Sequence, residues 1–238
     1  MSDALPALTL SADLLAEAER ELVTIRDWMR FCVSCFRGCD VHIGHGTSDP
    51  FAEASALVLQ TLNLEWSADE EILSARLLPS ERAAIAETLR KRVNDRTPLA
   101  YLLNLAYFNG LPFYVDERVL VPRSPIAELI QDRFLPWLKD EPQRILDLCT
   151  GSGCIAIACA KEFPDALVDA TDLSLDALSV AAINVEHHDL QERVGLLESD
   201  VFSKLPGQRY DLIVSNPPYV DAEDMADLPE EFLREPEM

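Results

Sequence analysis

The sequence predicts an α/β fold in which a small helical domain precedes a Rossmann-like parallel sheet. Apolar residues recur at near-helical spacing through residues 1–96, and short apolar strands alternate with helices from Arg144 onward. Right-handed crossovers then place all the strand ends on one side of the sheet. Three segments are expected: a helical domain at 1–96, a linking β-hairpin at 97–123 and the α/β domain at 124–238.

The charge of the chain limits its choice of partners. Acidic residues outnumber basic ones by 42 to 20, which gives a net charge of −22. Affinity for nucleic acid comes largely from Lys and Arg, so this charge opposes direct nucleic-acid binding. It favours a basic protein partner, or it serves solubility alone. Neither a membrane span nor a signal peptide is expected, and the six cysteines predict reduced thiols in a cytoplasmic protein.

The first 96 residues predict four helices. Ser11 is expected to cap one long helix that continues to Gly38, because apolar residues keep a near-helical spacing throughout this stretch. Three further helix starts are predicted, at Asp49-Pro50, at Ser67 with Glu70 and at Ser80.

A group of possible metal ligands lies at the end of the first helix. His42 and His45 follow Cys32, Cys35 and Cys39 in the chain. The spacing lacks the second Cys or His pair that zinc motifs have, so no metal site is predicted.

The elements after residue 96 alternate in type. Asn109-Gly110 between two apolar runs predicts the hairpin, and Ser124-Pro125 predicts the start of a helix that runs to about Leu138. The α/β domain is then expected to contain strands at 145–148, 167–171, 194–198 and 211–215, and helices at 154–162 and 174–187.

A glycine-rich turn follows the first of these strands. Residues 151–156 match G-x-G-x-x-G/A, and Asp172 lies 21 residues beyond Gly151. This pattern fits NAD as well as S-adenosylmethionine. Asp147, Asp172 and Asp200 each end a strand, and three carboxylates would repel a dinucleotide but attract a ligand with a sulfonium and an ammonium. Asp147 is expected to meet the ammonium, and Asp200 the adenine amino group. The sequence therefore favours a methyl donor.

The fourth strand leads into Asn216-Pro217-Pro218-Tyr219. Neither proline has an amide hydrogen, so the chain must leave the sheet at a strand's carboxyl end, where open α/β sheets bind ligands. The Asn216 oxygen and the Pro217 carbonyl can each accept one hydrogen of a planar –NH2 group, while Tyr219 covers its face. We expect this loop to bind the methyl acceptor.

Together these motifs resemble a known family. Asp147-x-Cys149-Thr150-Gly151-Ser152-Gly153 with Asn216-Pro217-Pro218-Tyr219 looks like the HemK-type protein-(glutamine-N5) methyltransferases. Residues 101–125 are similar to the PrmB branch, which modifies a large-subunit ribosomal protein. The release-factor branch typically has Pro-Arg-Pro-(Asp/Glu)-Thr where this chain has Pro122-Arg123-Ser124-Pro125-Ile126.

The resemblance implies S-adenosyl-L-methionine as the methyl donor, no metal, and a seven-stranded methyltransferase sheet. It implies catalytic roles for Asn216, Pro217, Pro218 and Tyr219. The donor-binding positions that it implies are Asp147, Cys149, Thr150, Gly151, Gly153, Asp172, Leu173, Asp200, Val201 and Asn216.

The leading expectation is N5-methylation of a glutamine in a large-subunit ribosomal protein. The alternatives are a release-factor glutamine methyltransferase, a nucleic-acid amino-methyltransferase that shares the four-residue loop, and an inactive ligand-binding fragment. Only four sheet strands are found from Arg144 onward, so we also expect a C-terminally truncated chain. An exposed fourth strand would then weaken catalysis and favour homodimers or aggregation.

Overall fold

The computed structural model describes residues 10–44, 46–205, 207–217 and 229–236. Backbone contacts divide the protein into two compact units. Among the described residues, the first unit comprises those up to Leu103 together with Pro229–Arg234, and the second begins at Asn104 and includes Glu235. Each unit has its own hydrophobic core.

The described part of the first unit is helical. Its core contains Trp28, Leu57, Ile85 and Leu89, which are all fully buried. The helices are α1 (Ala12–Glu21), α2 (Ile25–Gly38), α3 (Pro50–Thr61), α4 (Glu70–Leu73), α5 (Pro79–Asn94) and α6 (Leu99–Leu103), followed late in the chain by a 3-10 turn at Phe232–Arg234.

The prediction of one long first helix is wrong. The chain breaks between α1 and α2 because Thr24 and Asp27 form a capping box. The Thr24 amide donates to Asp27 Oδ2 at 2.9 Å, and the Asp27 amide donates to Thr24 Oγ1 at 3.2 Å. Val23, which lies between α1 and α2, also binds a residue outside these helices, because its carbonyl accepts a hydrogen bond from the Leu77 amide at 2.8 Å. Apolar spacing continued across the break and concealed it.

The other helix starts agree with the predictions in part. Asp49 caps α3 as predicted, and its Oδ1 accepts from the Phe51 amide at 3.0 Å. Asp69 rather than Ser67 caps α4, which is only four residues long. Helix α5 begins one residue before Ser80, and the short helix α6 was not predicted.

The second unit contains a hairpin and a parallel sheet. The turn residues Asn109 and Gly110 both have positive φ, at 51° and 75°, which confirms the predicted hairpin. The elements are β1 (Ala106–Phe108), β2 (Leu111–Phe113), α7 (Ile126–Gln131), β3 (Arg144–Leu148), α8 (Cys154–Glu162), β4 (Leu167–Asp172), α9 (Leu175–His187), β5 (Val194–Glu198) and β6 (Leu212–Ser215).

Helix α7 is shorter than predicted. It ends at Gln131, whereas the sequence predicted a helix to about Leu138. Arg133 and Phe134 have φ of 53° and 55°, a left-handed conformation that an α-helix cannot continue through.

The four sheet strands are parallel and lie in the order β5-β4-β3-β6. The chain adds β4 and β5 on one side of β3 and then places β6 on the other side. This reversal makes the gap between the carboxyl ends of β3 and β6 a topological switch point, where open α/β sheets bind ligands. The mixed α/β fold with a Rossmann-like parallel sheet is therefore confirmed.

Within the described residues, no helix is both long enough and apolar enough to cross a membrane. The same residues also contain no group of three or more His, Cys, Asp or Glu side chains arranged to hold a metal ion. His45 lies outside the described part of the chain.

Candidate active site at the carboxyl edge of the sheet

The turn between β3 and α8 opens toward the exterior. Gly151 and Gly153 have φ of 56° and 80°, a region that side chains with a Cβ rarely adopt. A Cβ at Gly153 would lie 3.2 Å from Cβ of Ala181 on α9, whereas a Cβ at Gly151 would meet nothing within 4 Å. Gly153 therefore allows close helix packing, and Gly151 leaves backbone accessible to a ligand. Cys149 precedes them with φ of 58°.

Asp147 lies beneath this turn and is fully buried. Its Oδ2 accepts hydrogen bonds from the Thr150 hydroxyl at 2.6 Å and from the Ala156 amide at 3.1 Å. Its Oδ1 has no hydrogen-bond partner among the described residues. Burial raises the pKa of Asp147 to about 7, and the nearby Asp172 charge adds to this, although the two hydrogen bonds oppose it. The sequence predicted a strand-end carboxylate facing the ligand, whereas this carboxylate holds the turn from below.

Asp172 joins two adjacent turns at the end of β4. Its Oδ2 accepts from the Gly151 amide at 2.9 Å, and its Oδ1 accepts from the Ser174 amide at 2.9 Å. Ser174 in turn caps α9 by accepting from the Ala177 amide. Each carboxylate oxygen therefore has a fixed direction and retains a lone pair, which suits the recognition of a second hydrogen-bond donor.

Hydrogen bonds also join the neighbouring strand ends. The Thr150 amide donates to the Thr171 carbonyl, and the Ser199 amide donates to the Asp172 carbonyl, both at 2.9 Å. Across the switch point, the Ser215 hydroxyl donates to the Leu148 carbonyl at 3.0 Å. These hydrogen bonds therefore connect the carboxyl ends of the four described strands into one edge of the sheet.

Three apolar side chains are exposed beside the strand-end acids. Leu173 follows Asp172 and is 68% exposed, while Val201 and Phe202 follow Asp200 and are 47% and 54% exposed. Asp200 is exposed as well. Exposed apolar groups next to acceptor oxygens suit a flat ring that carries an amino group. The sequence analysis indicated Leu173, Asp200 and Val201 as candidate site residues, but it did not indicate Phe202.

Asn216 lies directly after β6, on the opposite side of the switch point from the glycine turn. Its side chain is partly buried, and Nδ2 donates to the Arg123 carbonyl at 3.5 Å. Pro217 follows and is exposed. The predicted roles of Pro218 and Tyr219 concern residues outside the described part of the chain.

Sequence reasoning also missed Asn184, a fully buried residue of α9. Its Oδ1 accepts from the Tyr114 amide at 2.7 Å. Its Nδ2 donates to the Tyr114 carbonyl at 3.0 Å and to the Ser152 carbonyl at 2.9 Å. One amide thus fixes the glycine turn relative to the chain just after the hairpin. An uncharged polar residue on the apolar face of a helix was the available signal.

Comparison with known proteins agrees with this architecture. Residues 132–237, which begin just after α7, match the model of the family described as "Methyltransferase small domain". The parallel sheet, the glycine turn and the acids at the strand ends thus belong to a Rossmann-like methyltransferase.

Two relatives define the family more closely. They are the ribosomal protein uL3 glutamine methyltransferases of Neisseria gonorrhoeae and Neisseria meningitidis. Each is 49% identical over 224 residues, which cover 93% of this chain and 75% or 74% of the relative. The chain therefore belongs to the family of ribosomal protein uL3 glutamine methyltransferases, and the resemblance to protein-glutamine methyltransferases is confirmed.

Among solved structures, ribosomal protein L11 methylase from Lactobacillus delbrueckii is similar to part of the chain. The two are 30% identical, the match covers 42% of this chain and 47% of the other, and the TM-score is 0.32. A TM-score this low adds nothing to the assignment.

Proposed function

We propose that this protein-glutamine methyltransferase transfers a methyl group from S-adenosyl-L-methionine to the side-chain nitrogen of a glutamine in ribosomal protein uL3. The observation that carries the proposal is the position of Asn216 at the switch point, across from the glycine turn. The names of the two relatives support the choice of uL3 rather than a release factor or a nucleic acid.

The second unit fits the donor in three respects. The backbone at Gly151 is open to approach, and Asp172 holds two oxygens that can accept from ribose hydroxyls. A cation bound near the turn would favour ionisation of the buried Asp147 carboxyl, whose pKa is about 7 and whose Oδ1 has no partner among the described residues, and the charged form would then provide a field that suits the donor. We assign Asp147 to positioning the turn and to this field, and Leu173 and Val201 to the sides of the adenine ring. Cys149, Thr150 and Gly153 shape the turn, and Asp200 accepts from the adenine amino group.

When bound, the donor supplies a methyl group on a positively charged sulfur, which is a strong electrophile. The glutamine amide nitrogen is a poor nucleophile because its lone pair is delocalised into the carbonyl. Asn216 Oδ1 and the Pro217 carbonyl are proposed to accept its two hydrogens, which would raise the electron density on nitrogen and fix its direction. Most of the rate would then come from positioning, with no covalent enzyme intermediate and no metal. Pro218 and Tyr219 are proposed to complete this loop.

Recognition of the protein substrate is assigned to the helical unit. The net charge of −22 favours a basic, RNA-binding partner such as a ribosomal protein. We propose no direct binding of nucleic acid and a cytoplasmic location, where ribosomal proteins are made.

A homodimer through β6 is a further part of the proposal. Strand β6 pairs with β3 on one side, and no described strand pairs with its other side. Ile213 on this strand is 50% exposed. A strand edge that carries apolar side chains can pair with a second copy of the chain. Sedimentation velocity should show a dimer that Ile213→Lys dissociates, and a monomer at all concentrations would contradict this assignment.

The substrate assignment is tested with methyl-tritiated donor and purified ribosomal proteins and release factors. We expect label on uL3. Label on a release factor alone would redirect the assignment, and donor binding without label on any protein would indicate a binding module.

A further inference from the structure

We propose that Glu235 is a positioning residue for methyl transfer. It holds the backbone at residues 121–123, and through this backbone it sets the orientation of the Asn216 side chain. The inference rests on the proposed function, in which Asn216 accepts a hydrogen of the substrate amide.

Both carboxylate oxygens of Glu235 accept hydrogen bonds from the short segment at residues 121–123. The Glu235 side chain is 5% exposed. Oε1 accepts from the Val121 amide at 3.1 Å, and Oε2 accepts from Arg123 Nη2 at 2.6 Å. One bond fixes the backbone and the other fixes the side chain two residues later. Hydrogen bonds between charged groups are stronger than those between neutral ones, so the segment is held firmly.

The held segment provides the partner of Asn216. Asn216 Nδ2 donates to the Arg123 carbonyl at 3.5 Å. If the amide were flipped by 180°, its Oδ1 would face the carbonyl oxygen, and two acceptors would repel each other. The carbonyl therefore selects the orientation in which Oδ1 is directed away from Arg123. This is the orientation in which Oδ1 can accept a hydrogen from a substrate.

The orientation of the Asn216 amide is sensitive to small changes in the distance between its Nδ2 and the Arg123 carbonyl oxygen. A hydrogen bond of 3.5 Å lies at the outer limit of useful geometry, so a displacement of a few tenths of an ångström removes it. Glu235 opposes that displacement from within the second unit, although it lies 112 residues beyond Arg123 in the chain. Its loss should therefore affect the orientation of Asn216 more than the binding of the donor, whose turn it does not contact in the described structure.

Glu235→Gln is the first variant to measure. Glutamine keeps an acceptor for the Val121 amide but loses the charge that holds Arg123. We expect kcat to fall by about tenfold or more, because misplacement of a reacting group by about 1 Å can cost up to about 100-fold. Donor affinity measured by calorimetry should stay within about twofold. Arg123→Met removes the same ion pair from the other side and should give the same result, even if the first variant folds poorly.

Glu230→Gln is the matched control. Glu230 belongs to the same segment and lies 3.7 Å from Arg96, but its side chain is 77% exposed. Its loss removes one carboxylate near an arginine without touching residues 121–123. We expect wild-type kcat from this variant, and any change in its KM would report substrate recognition by the helical unit rather than the position of Asn216.

The side-chain amide of Asn216 gives a readout that does not depend on catalysis. In nitrogen-15 NMR spectra, Glu235→Gln should shift the Asn216 side-chain resonances and speed their hydrogen exchange, whereas Glu230→Gln should leave them unchanged. Unchanged resonances, or a wild-type kcat in both Glu235→Gln and Arg123→Met, would overturn the inference. Parallel losses of donor affinity and kcat would also overturn it. If the wild type methylates no uL3, the proposed function fails, while the NMR comparison still tests the link from Glu235 to Asn216.

Discussion

Asp147 should make the folded protein less stable as the pH rises through neutrality. Its folded pKa is about 7, against an ordinary value of 3.8, because burial disfavours the charged form. Between these values the folded state holds a proton that the unfolded state has released. Stability from this group is therefore complete below pH 3.8 and is lost as the pH rises through 7. A difference of about three pKa units, at about 1.36 kcal/mol each, corresponds to roughly 4 kcal/mol.

Asp147→Asn isolates this contribution because asparagine does not titrate. The free energy of unfolding in urea would be measured for both proteins between pH 5 and pH 8. The contributions of the other titratable groups, which the two proteins share, largely cancel in the difference. The stability of the wild type relative to the variant should fall by roughly 2–3 kcal/mol over this range, the part of the effect that lies between pH 5 and the pKa near 7. Parallel stability curves for the two proteins would show that the carboxyl is not buried in the neutral form and would refute the reasoning.

Three other predictions concern the proposed reaction. Asn216→Ala should lower kcat by about 100- to 1,000-fold, which corresponds to about 3–4 kcal/mol for a lost hydrogen bond to the reacting group. The affinity for the donor should barely change. Methylation at the wild-type rate would remove Asn216 from the mechanism. Asp172→Ala should weaken donor binding without altering the choice of protein substrate, since it removes the fixed oxygens that accept from Gly151 and Ser174, and unchanged affinity by calorimetry would exclude it from the site. Association with the basic substrate should slow steeply with added salt; a flat response in stopped-flow measurements would contradict the electrostatic account.

Local chemistry made part of the site predictable. The glycine turn, Asp172 and the Ser174 cap follow one another within a few residues of strand ends, and their contacts are with sequence neighbours or with the adjacent strand. The hairpin was equally clear, because Asn109-Gly110 favours the two positive φ angles that the turn requires.

Other features depend on contacts between distant parts of the chain. Glu235 and Arg123 are 112 residues apart, and Asn184 and Tyr114 are 70 residues apart. No pattern within one element indicates such pairs. Asp147 shows a different limit: its strand-end position was predicted correctly, but only the packing of the turn over it shows that the carboxylate lies underneath.

One wrong helix prediction could have been avoided, because the sequence contained a capping signal that the apolar pattern outweighed. Thr24 and Asp27 have the spacing of a capping box, yet apolar residues on both sides continued the helical pattern and favoured one long helix. For α7, nothing in the local sequence demanded positive φ at Arg133 and Phe134, so the early end of the helix could be found only in the structure.

Tandem mass spectrometry of purified uL3, incubated with this protein and S-adenosyl-L-methionine, tests the central claim most directly. The account predicts a single methyl group on the side-chain nitrogen of one glutamine, and its absence when Asn216→Ala replaces the wild type. A methyl group on lysine or arginine, equal modification by the Asn216→Ala variant, or unmodified uL3 beside a methylated release factor would contradict the account.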